Sequence, residues 1–161
     1  MTRSEFIKTY KGWAIESTFG TGIFPSVKMA QAIIESSNRN GVPGASSLAS
    51  KHNNFFGIKA NSGWKGKRVN LATGEVFNGN AVIINDDFRV YDSPRDSFFD
   101  HTKFLVENSR YAKAGVFTAS TPDEQAHRLK AAGYATAPDY ANAIISVINA
   151  NNLRQLDKKK V

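Results

Sequence analysis

Glu35 is the residue of this chain best placed to do chemistry. It closes a segment beginning at Pro25 in which Val27, Ala30, Ile33 and Ile34 recur at helical spacing and make one apolar stripe. A carboxyl at the edge of that stripe meets the negative end of the helix dipole and partial burial together, and both disfavour its charged form. The expected result is a raised pKa. A carboxylic acid that keeps its proton near neutral pH can donate it to a leaving oxygen. The plainer reading is a surface glutamate in a final helical turn, and the helix by itself favours that one.

Few other groups compete for a catalytic role. The 161 residues contain no cysteine, which excludes disulfides and thiolate metal sites. His52, His101 and His127 are scattered and make no ligand-spaced pair, so each is expected in a core, capping or surface role, and no metal or cofactor is called for. The formal charge of +7 implies a polyanionic partner, whether nucleic acid, membrane surface or bacterial wall. Lys51, Lys59, Lys65, Lys67 and Arg68 crowd one region, a pattern that usually marks a solvated face.

The elements that must position Glu35 can be read in order. The length suits one domain, expected over residues 1–161. Residues 4–18 place Phe6, Ile7, Tyr10, Trp13 and Ala14 near one helical face, and Pro25 suits the first turn of the next helix. Ser36 to Ser47 is a Gly/Asn/Ser-rich loop, and Ser46 to Ser50 a short helical turn. Asn53-Asn54-Phe55-Phe56-Gly57 reads as a packed turn whose amides bond nearby backbone.

Strand character runs from Trp64 to Tyr91, about residues 64–92 in all. Thr73-Gly74 is expected as a turn or kink and Asn78-Gly79 as a hairpin tip, with Ala81–Ile84 and Phe88–Tyr91 as return strands. Glu75 then lies close to that tip. Helices open at Ser93-Pro94 and Thr121-Pro122, the second stopping at Gly133, and a last helix is expected from Pro138 to Leu153 with a frayed tail over about 155–161. No apolar run reaches membrane-spanning length, and Met1 to Glu5 leads into a helix without a signal-peptide core.

Five separated runs carry a family resemblance. Ala30-Gln31-Ala32-Ile33-Ile34-Glu35-Ser36, Ser46-Ser47-Leu48-Ala49, Asn53-Asn54-Phe55-Phe56-Gly57-Ile58-Lys59, Phe88-Arg89-Val90-Tyr91-Asp92-Ser93 and Ala132-Gly133-Tyr134-Ala135-Thr136 resemble, in order, the bacterial N-acetylglucosaminidases of glycoside hydrolase family 73. That family includes flagellar rod-assembly muramidases and many autolysins. The resemblance implies an α+β, mainly α, lysozyme-like fold in which a helical lobe and a small β-hairpin lobe flank a groove. It implies hydrolysis of the β-1,4 bond after N-acetylglucosamine in peptidoglycan. Glu35 takes the general acid's position, Glu75 looks like the second carboxylate, and Tyr134 matches a tyrosine lining the cleft. The family's usual Gly-Trp-Gly after Glu-Ser is replaced by Ser37-Asn38-Arg39, and its Asp after Gly-Tyr-Ala-Thr by Ala137.

Glycoside cleavage needs a proton for the leaving oxygen and stabilisation of an oxocarbenium-like centre, which two carboxylates in different environments can supply. The expectation is Glu35 as acid and Glu75 as base or assisting carboxylate, with inversion if the carboxyls stand about 6.5–9.5 Å apart and retention near about 5 Å. Attack by the substrate's own acetamido oxygen is a further route. Asn54, Phe56, Trp64 and Tyr140 complete the candidate substrate contacts, although a structural role suits both asparagines, packing suits Tyr140, and Trp64 could equally close the β-lobe's core. The expected partner is the peptidoglycan glycan strand, met by a monomer at the cell wall, without nucleic acid or membrane insertion. The rivals are an idle glycan-binding domain, a basic nucleic-acid-binding domain and a lytic transglycosylase.

Overall fold

The computed structural model describes residues 1–158; residues 159–161 and the side chains of residues 75–77 lie outside that description. Among the described residues seven α-helices and one hairpin follow in chain order: α1 Arg3–Thr18, α2 Pro25–Ser36, α3 Ser47–His52, β1 Arg68–Phe77, β2 Asn80–Arg89, α4 Pro94–Glu107, α5 Ser109–Lys113, α6 Pro122–Ala131 and α7 Tyr140–Ala150. This is the mainly helical α+β architecture expected, with the hairpin inserted between helices.

Helix starts follow local chemistry. The Thr2 hydroxyl accepts from Glu5 N while the Glu5 carboxyl accepts from Thr2 N, closing a capping box on α1. Ser93 and Thr121 cap α4 and α6, each with proline in the first turn. No side chain of its own N-cap residue caps α2. Its first turn is instead satisfied from the far end of the chain, where Asp157 accepts from Ser26 N at 2.8 Å and Ser26 Oγ at 2.6 Å. Gln125 on α6 fixes the entry to the same helix by accepting from Phe24 N and donating to the Gly22 and Val116 carbonyls.

Helix α2 is the centre of the fold. It packs against α1, α6 and α7, and residues 26–33 are all buried, so it has no solvent face along most of its length. An aromatic cluster of Phe6, Tyr10, Phe55, Phe56 and Phe98 ties α1 and α4 to the turn at residues 53–58. That turn is also clamped from within, by the buried Asn54 side chain bonding both the N–H and the carbonyl of Ile58.

The hairpin strands are antiparallel in the register Arg68↔Arg89 to Phe77↔Asn80. Asn78 (φ 50°) and Gly79 (φ 80°) are both left-handed, as a two-residue type I′ turn requires. Its foot is zipped to the helical lobe, with Ala60 N donating to Asp87 O and Arg89 N to Ile58 O.

Four expectations are corrected. Thr73-Gly74 is not a turn: Gly74 is not left-handed, pairs with Ile83 and continues β1, and β2 is one strand instead of two. The last helix is shorter than expected, Tyr140–Ala150. The tail is not frayed over its described part, because Leu153–Asp157 forms a 3-10 helix with Leu153 fully buried and Asp157 bonded to Ser26.

Candidate active site

Glu35 sits one residue from the end of α2, at the floor of a cleft of about 300 Å³. The walls come from the turn after Asn54 (Phe56, Gly57, Ile58), from Phe104 on α4, and from Arg110, Tyr111 and Tyr134. Two phenols hold the carboxyl. Tyr134 Oη donates to Oε1 at 3.1 Å, with Oε2 at 3.3 Å, and Tyr140 Oη donates to Oε2 at 3.0 Å. Behind Tyr140, Gln31 Nε2 donates to its hydroxyl at 3.1 Å.

The electrostatics favour a protonated acid. Burial is the largest influence on Glu35, opposed by the Tyr140 and Tyr134 hydrogen bonds and then by the Lys28 charge, and the outcome is a pKa pushed up to about 8. Glu35 as a residue is only partly buried and lines the cleft, so its proton is within reach of a ligand there. Burial, then the nearby Glu35 charge, drives the Tyr134 and Tyr140 hydroxyls well above their ordinary range, so both remain donors.

A second polar row backs the first. Lys28, Gln31 and Glu35, spaced three and four residues apart, share one face of α2, and Lys28 is fully buried. Its Nζ lies 2.6 Å from His101 Nδ1, and His101 Nε2 lies 2.7 Å from Tyr134 Oη. The His101 ring stacks on Phe56 at 3.9 Å with 6° between planes. Sequence reasoning missed Lys28, His101, Arg110 and Tyr111. The legible signal was the polar row Lys28-Gln31-Glu35 inside an otherwise apolar helix; nothing local marks His101, which is 73 positions from Lys28.

The remaining candidates divide. Tyr134 and Tyr140 converge on Glu35, Tyr140 being buried as well, so packing is only half its role. Phe56 is in the cleft wall. Asn54 is wholly buried and does not reach the cleft: it donates to Ile58 O and Arg89 O and accepts from Ile58 N, which corrects the expectation of a substrate contact. Trp64 stands outside the Glu35 hollow, lining two further hollows of about 280 and 440 Å³; the nearer shares Asn61 and Phe104 with the cleft. Its ring stacks under Arg89 and its Nε1 donates to Lys67 O. The backbone at Glu75 pairs with Val82 in the hairpin, and its side chain, with the carboxyl separation it would define, lies outside the described residues.

The substituted loop after Ser36 folds on itself. Ser36 Oγ accepts from Gly44 N, Asn38 Oδ1 accepts from Asn40 N and Val42 N, and no residue of 37–46 lines the Glu35 hollow. At the other departure, the Ala137 carbonyl accepts from Tyr140 N and no side chain caps α7 among the described residues. Among the clustered cations, Lys59, Lys67 and Arg68 form surface ion pairs with Asp86, Asp92 and Asp87.

Residues 11–153 match the family described as Glucosaminidase, mannosyl-glycoprotein endo-beta-N-acetylglucosaminidase. The chain is 37% identical over 139 residues to the exo-glucosaminidase LytG of Bacillus subtilis, covering 84% of this chain and 47% of that protein. It is 42% identical over 95 residues to the peptidoglycan hydrolase FlgJ of Salmonella typhimurium, covering 59% and 29% respectively. It thus spans about half or less of the length of these curated relatives. The catalytic domain of the autolysin Auto from Listeria monocytogenes superposes with a TM-score of 0.80 at 31% identity, over 96% of this chain and 87% of that one.

Proposed function

Because the chain belongs to the glucosaminidase family of bacterial peptidoglycan hydrolases, we propose that it hydrolyses the β-1,4 glycosidic bond after N-acetylglucosamine in peptidoglycan, with Glu35 as general acid. The observation that carries this reading is the Glu35 carboxyl itself. Burial pushes its pKa to about 8, two phenols hold it, and it still opens to a sugar-sized cleft.

Neutral Glu35 donates its proton to the glycosidic oxygen as that bond breaks, and positive charge develops at the anomeric carbon. The two tyrosine hydroxyls then stabilise the carboxylate left behind, since hydrogen bonds to a charged acceptor are the strong ones. Glu75 on the hairpin activates the attacking water or assists the substrate's acetamido oxygen. The hollows running on past Asn61, Phe104 and Trp64 support a groove that accepts several sugars and an endo mode of attack. We read residues 1–161 as one catalytic domain working as a monomer outside the cytoplasm, at the wall.

Mass spectrometry of digested, borohydride-reduced peptidoglycan tests this. The expected products end in reduced N-acetylglucosamine. Products ending in an anhydro sugar would make the protein a lytic transglycosylase, and binding without products would make it an idle glycan-binding domain.

A further inference from the structure

Glu35 is one end of a buried chain of polar atoms whose other end is Lys28. Lys28 Nζ lies 2.6 Å from His101 Nδ1, His101 Nε2 lies 2.7 Å from Tyr134 Oη, and that hydroxyl reaches Glu35 Oε1 at 3.1 Å. Every link is within hydrogen-bond distance, and Lys28 and His101 are wholly buried. A lysine is an expensive occupant for such a position, which methionine or leucine would fill at lower cost.

We propose that Lys28, His101 and Tyr134 form a proton wire ending on Glu35, with the lysine amine as the internal store for the proton the acid gives up. The proposal rests on the glycosidase reading for the task of the acid, and on this geometry for the wire.

The step balances without a co-reactant. The Lys28 ammonium passes a proton to His101 Nδ1, the imidazole passes the one on Nε2 to the Tyr134 oxygen, and the phenol passes its own to the Glu35 carboxylate. Three N–H or O–H bonds break and three form. Lysine ends as a neutral amine, histidine as the other neutral tautomer, tyrosine as a phenol and glutamate as an acid. In reverse, a proton that Glu35 takes from the cleft refills the lysine.

The proton affinities suit these roles. Burial pulls Lys28 well below the ordinary lysine range, so its proton can leave. Burial, then the charge on Lys28, pulls His101 well below its usual value, so the ring relays a proton without holding an extra one. The other ionisable groups facing the chain are Asp100 on α4, which is tied to Arg89 and Tyr91, Tyr140 on α7, and Tyr111 with Arg110 on α5. Phe56 covers the middle of the wire, stacked on His101 and 5.1 Å from Lys28 Nζ.

The test is a pair of NMR titrations, of the Glu35 side-chain carbon and the Lys28 Nζ, in the whole protein and in Lys28→Met and Lys28→Arg, with pH–rate profiles on peptidoglycan. In the parent protein the two signals should move through shared midpoints. Lys28→Met removes the positive end and should raise both the Glu35 pKa and the alkaline limb of the rate by about one unit. Lys28→Arg keeps a charge that cannot leave and should lower both by about one unit. A change in packing alone would not move them in opposite senses. Lysine titrating alone in its ordinary range, or a Glu35 pKa equal in all three proteins, overturns the wire. Should either variant fail to fold, the parent titrations decide. Coupled titrations in a protein that cuts no peptidoglycan would keep the wire and overturn the glycosidase reading; an active hydrolase whose Glu35 ignores Lys28 would do the reverse.

Discussion

The Tyr134 hydroxyl lies 3.1 Å and 3.3 Å from the two carboxyl oxygens of Glu35, across 99 positions of sequence. It has a single proton to donate, and His101 Nε2 stands 2.7 Å away on its other side. When Glu35 is charged the phenol serves it; when Glu35 is neutral the phenol is free to turn to the imidazole. The acid's protonation state and the hydrogen-bond direction behind it are therefore one variable.

Glu35→Gln keeps the shape of the side chain and removes its proton. Loss of a positioned general acid costs about 10²–10⁴ in rate. Release of reducing ends from peptidoglycan should fall by about 10³ while circular dichroism stays unchanged, and a variant keeping most of its activity would mean that another group is the acid.

The same substitution should stabilise the protein at high pH. Glu35 has a folded pKa of about 8 against an ordinary value of 4.5. Between those values the folded state holds a proton that the unfolded chain has lost, so stability declines as pH rises through that window. Glu35→Gln does not titrate. It should match the parent at pH 4 and exceed it at pH 9 by on the order of 2 kcal/mol, once the opening to the cleft is allowed for. Scanning calorimetry should read this as a Tm about 5 °C higher at pH 9. A difference between Glu35→Gln and the parent that is the same at both pH values would show that Glu35 is not perturbed, because the depressed Lys28 and His101 titrate alike in both proteins.

Tyr140→Phe and Tyr134→Phe each remove one donor that lowers the Glu35 pKa. A hydrogen bond to a charged group contributes about 1.5–3 kcal/mol. Each variant should therefore move the alkaline limb of the rate profile up by about one unit and slow the reaction about tenfold. The two effects should combine non-additively, since both phenols act on one carboxyl. An unshifted limb in both variants would reduce the tyrosines to packing.

Much of the fold was legible because its signals are local. Pro25, the caps Ser93 and Thr121, and Asn78-Gly79 each specify geometry within four residues, and the stripe ending at Ile34 placed Glu35 at a buried edge. What stayed hidden depends on distance or on burial. Gly74 reads as punctuation, yet it sits extended in β1, because a glycine breaks a strand only where a positive φ is needed. The tail looks soluble and charged, but Asp157 is recruited 131 positions away to cap α2 at Ser26. Lys28 looks like a solvated residue until the helices closing around α2 leave it no surface.

Asn54→Ala should damage stability and spare catalysis. The side chain makes three hydrogen bonds with no exposure, tying Ile58 and Arg89 together behind the cleft wall. Stranding those buried backbone groups costs about 3 kcal/mol, a fall in Tm of about 8 °C. The folded fraction should cut peptidoglycan within about threefold of the parent rate. Normal stability with lost activity would put Asn54 back among the substrate contacts.

Glu75→Gln, read together with the configuration of the parent's product, separates the routes open to the second carboxylate. As a general base, Glu75 is needed to activate water, and its loss should cost about 10²–10⁴ with the anomeric configuration inverted in the parent reaction. If the acetamido oxygen attacks instead, the parent retains configuration, and Glu75→Gln removes the negative charge that supports the oxazolinium ion, so the anomeric configuration and not the size of the loss tells the two routes apart. Proton NMR of the fresh reducing end reads the configuration, and reducing-end release reads the rate. Inversion with a large loss establishes the base. Inversion with no loss would take Glu75 out of the reaction and leave another carboxylate to be found around the cleft.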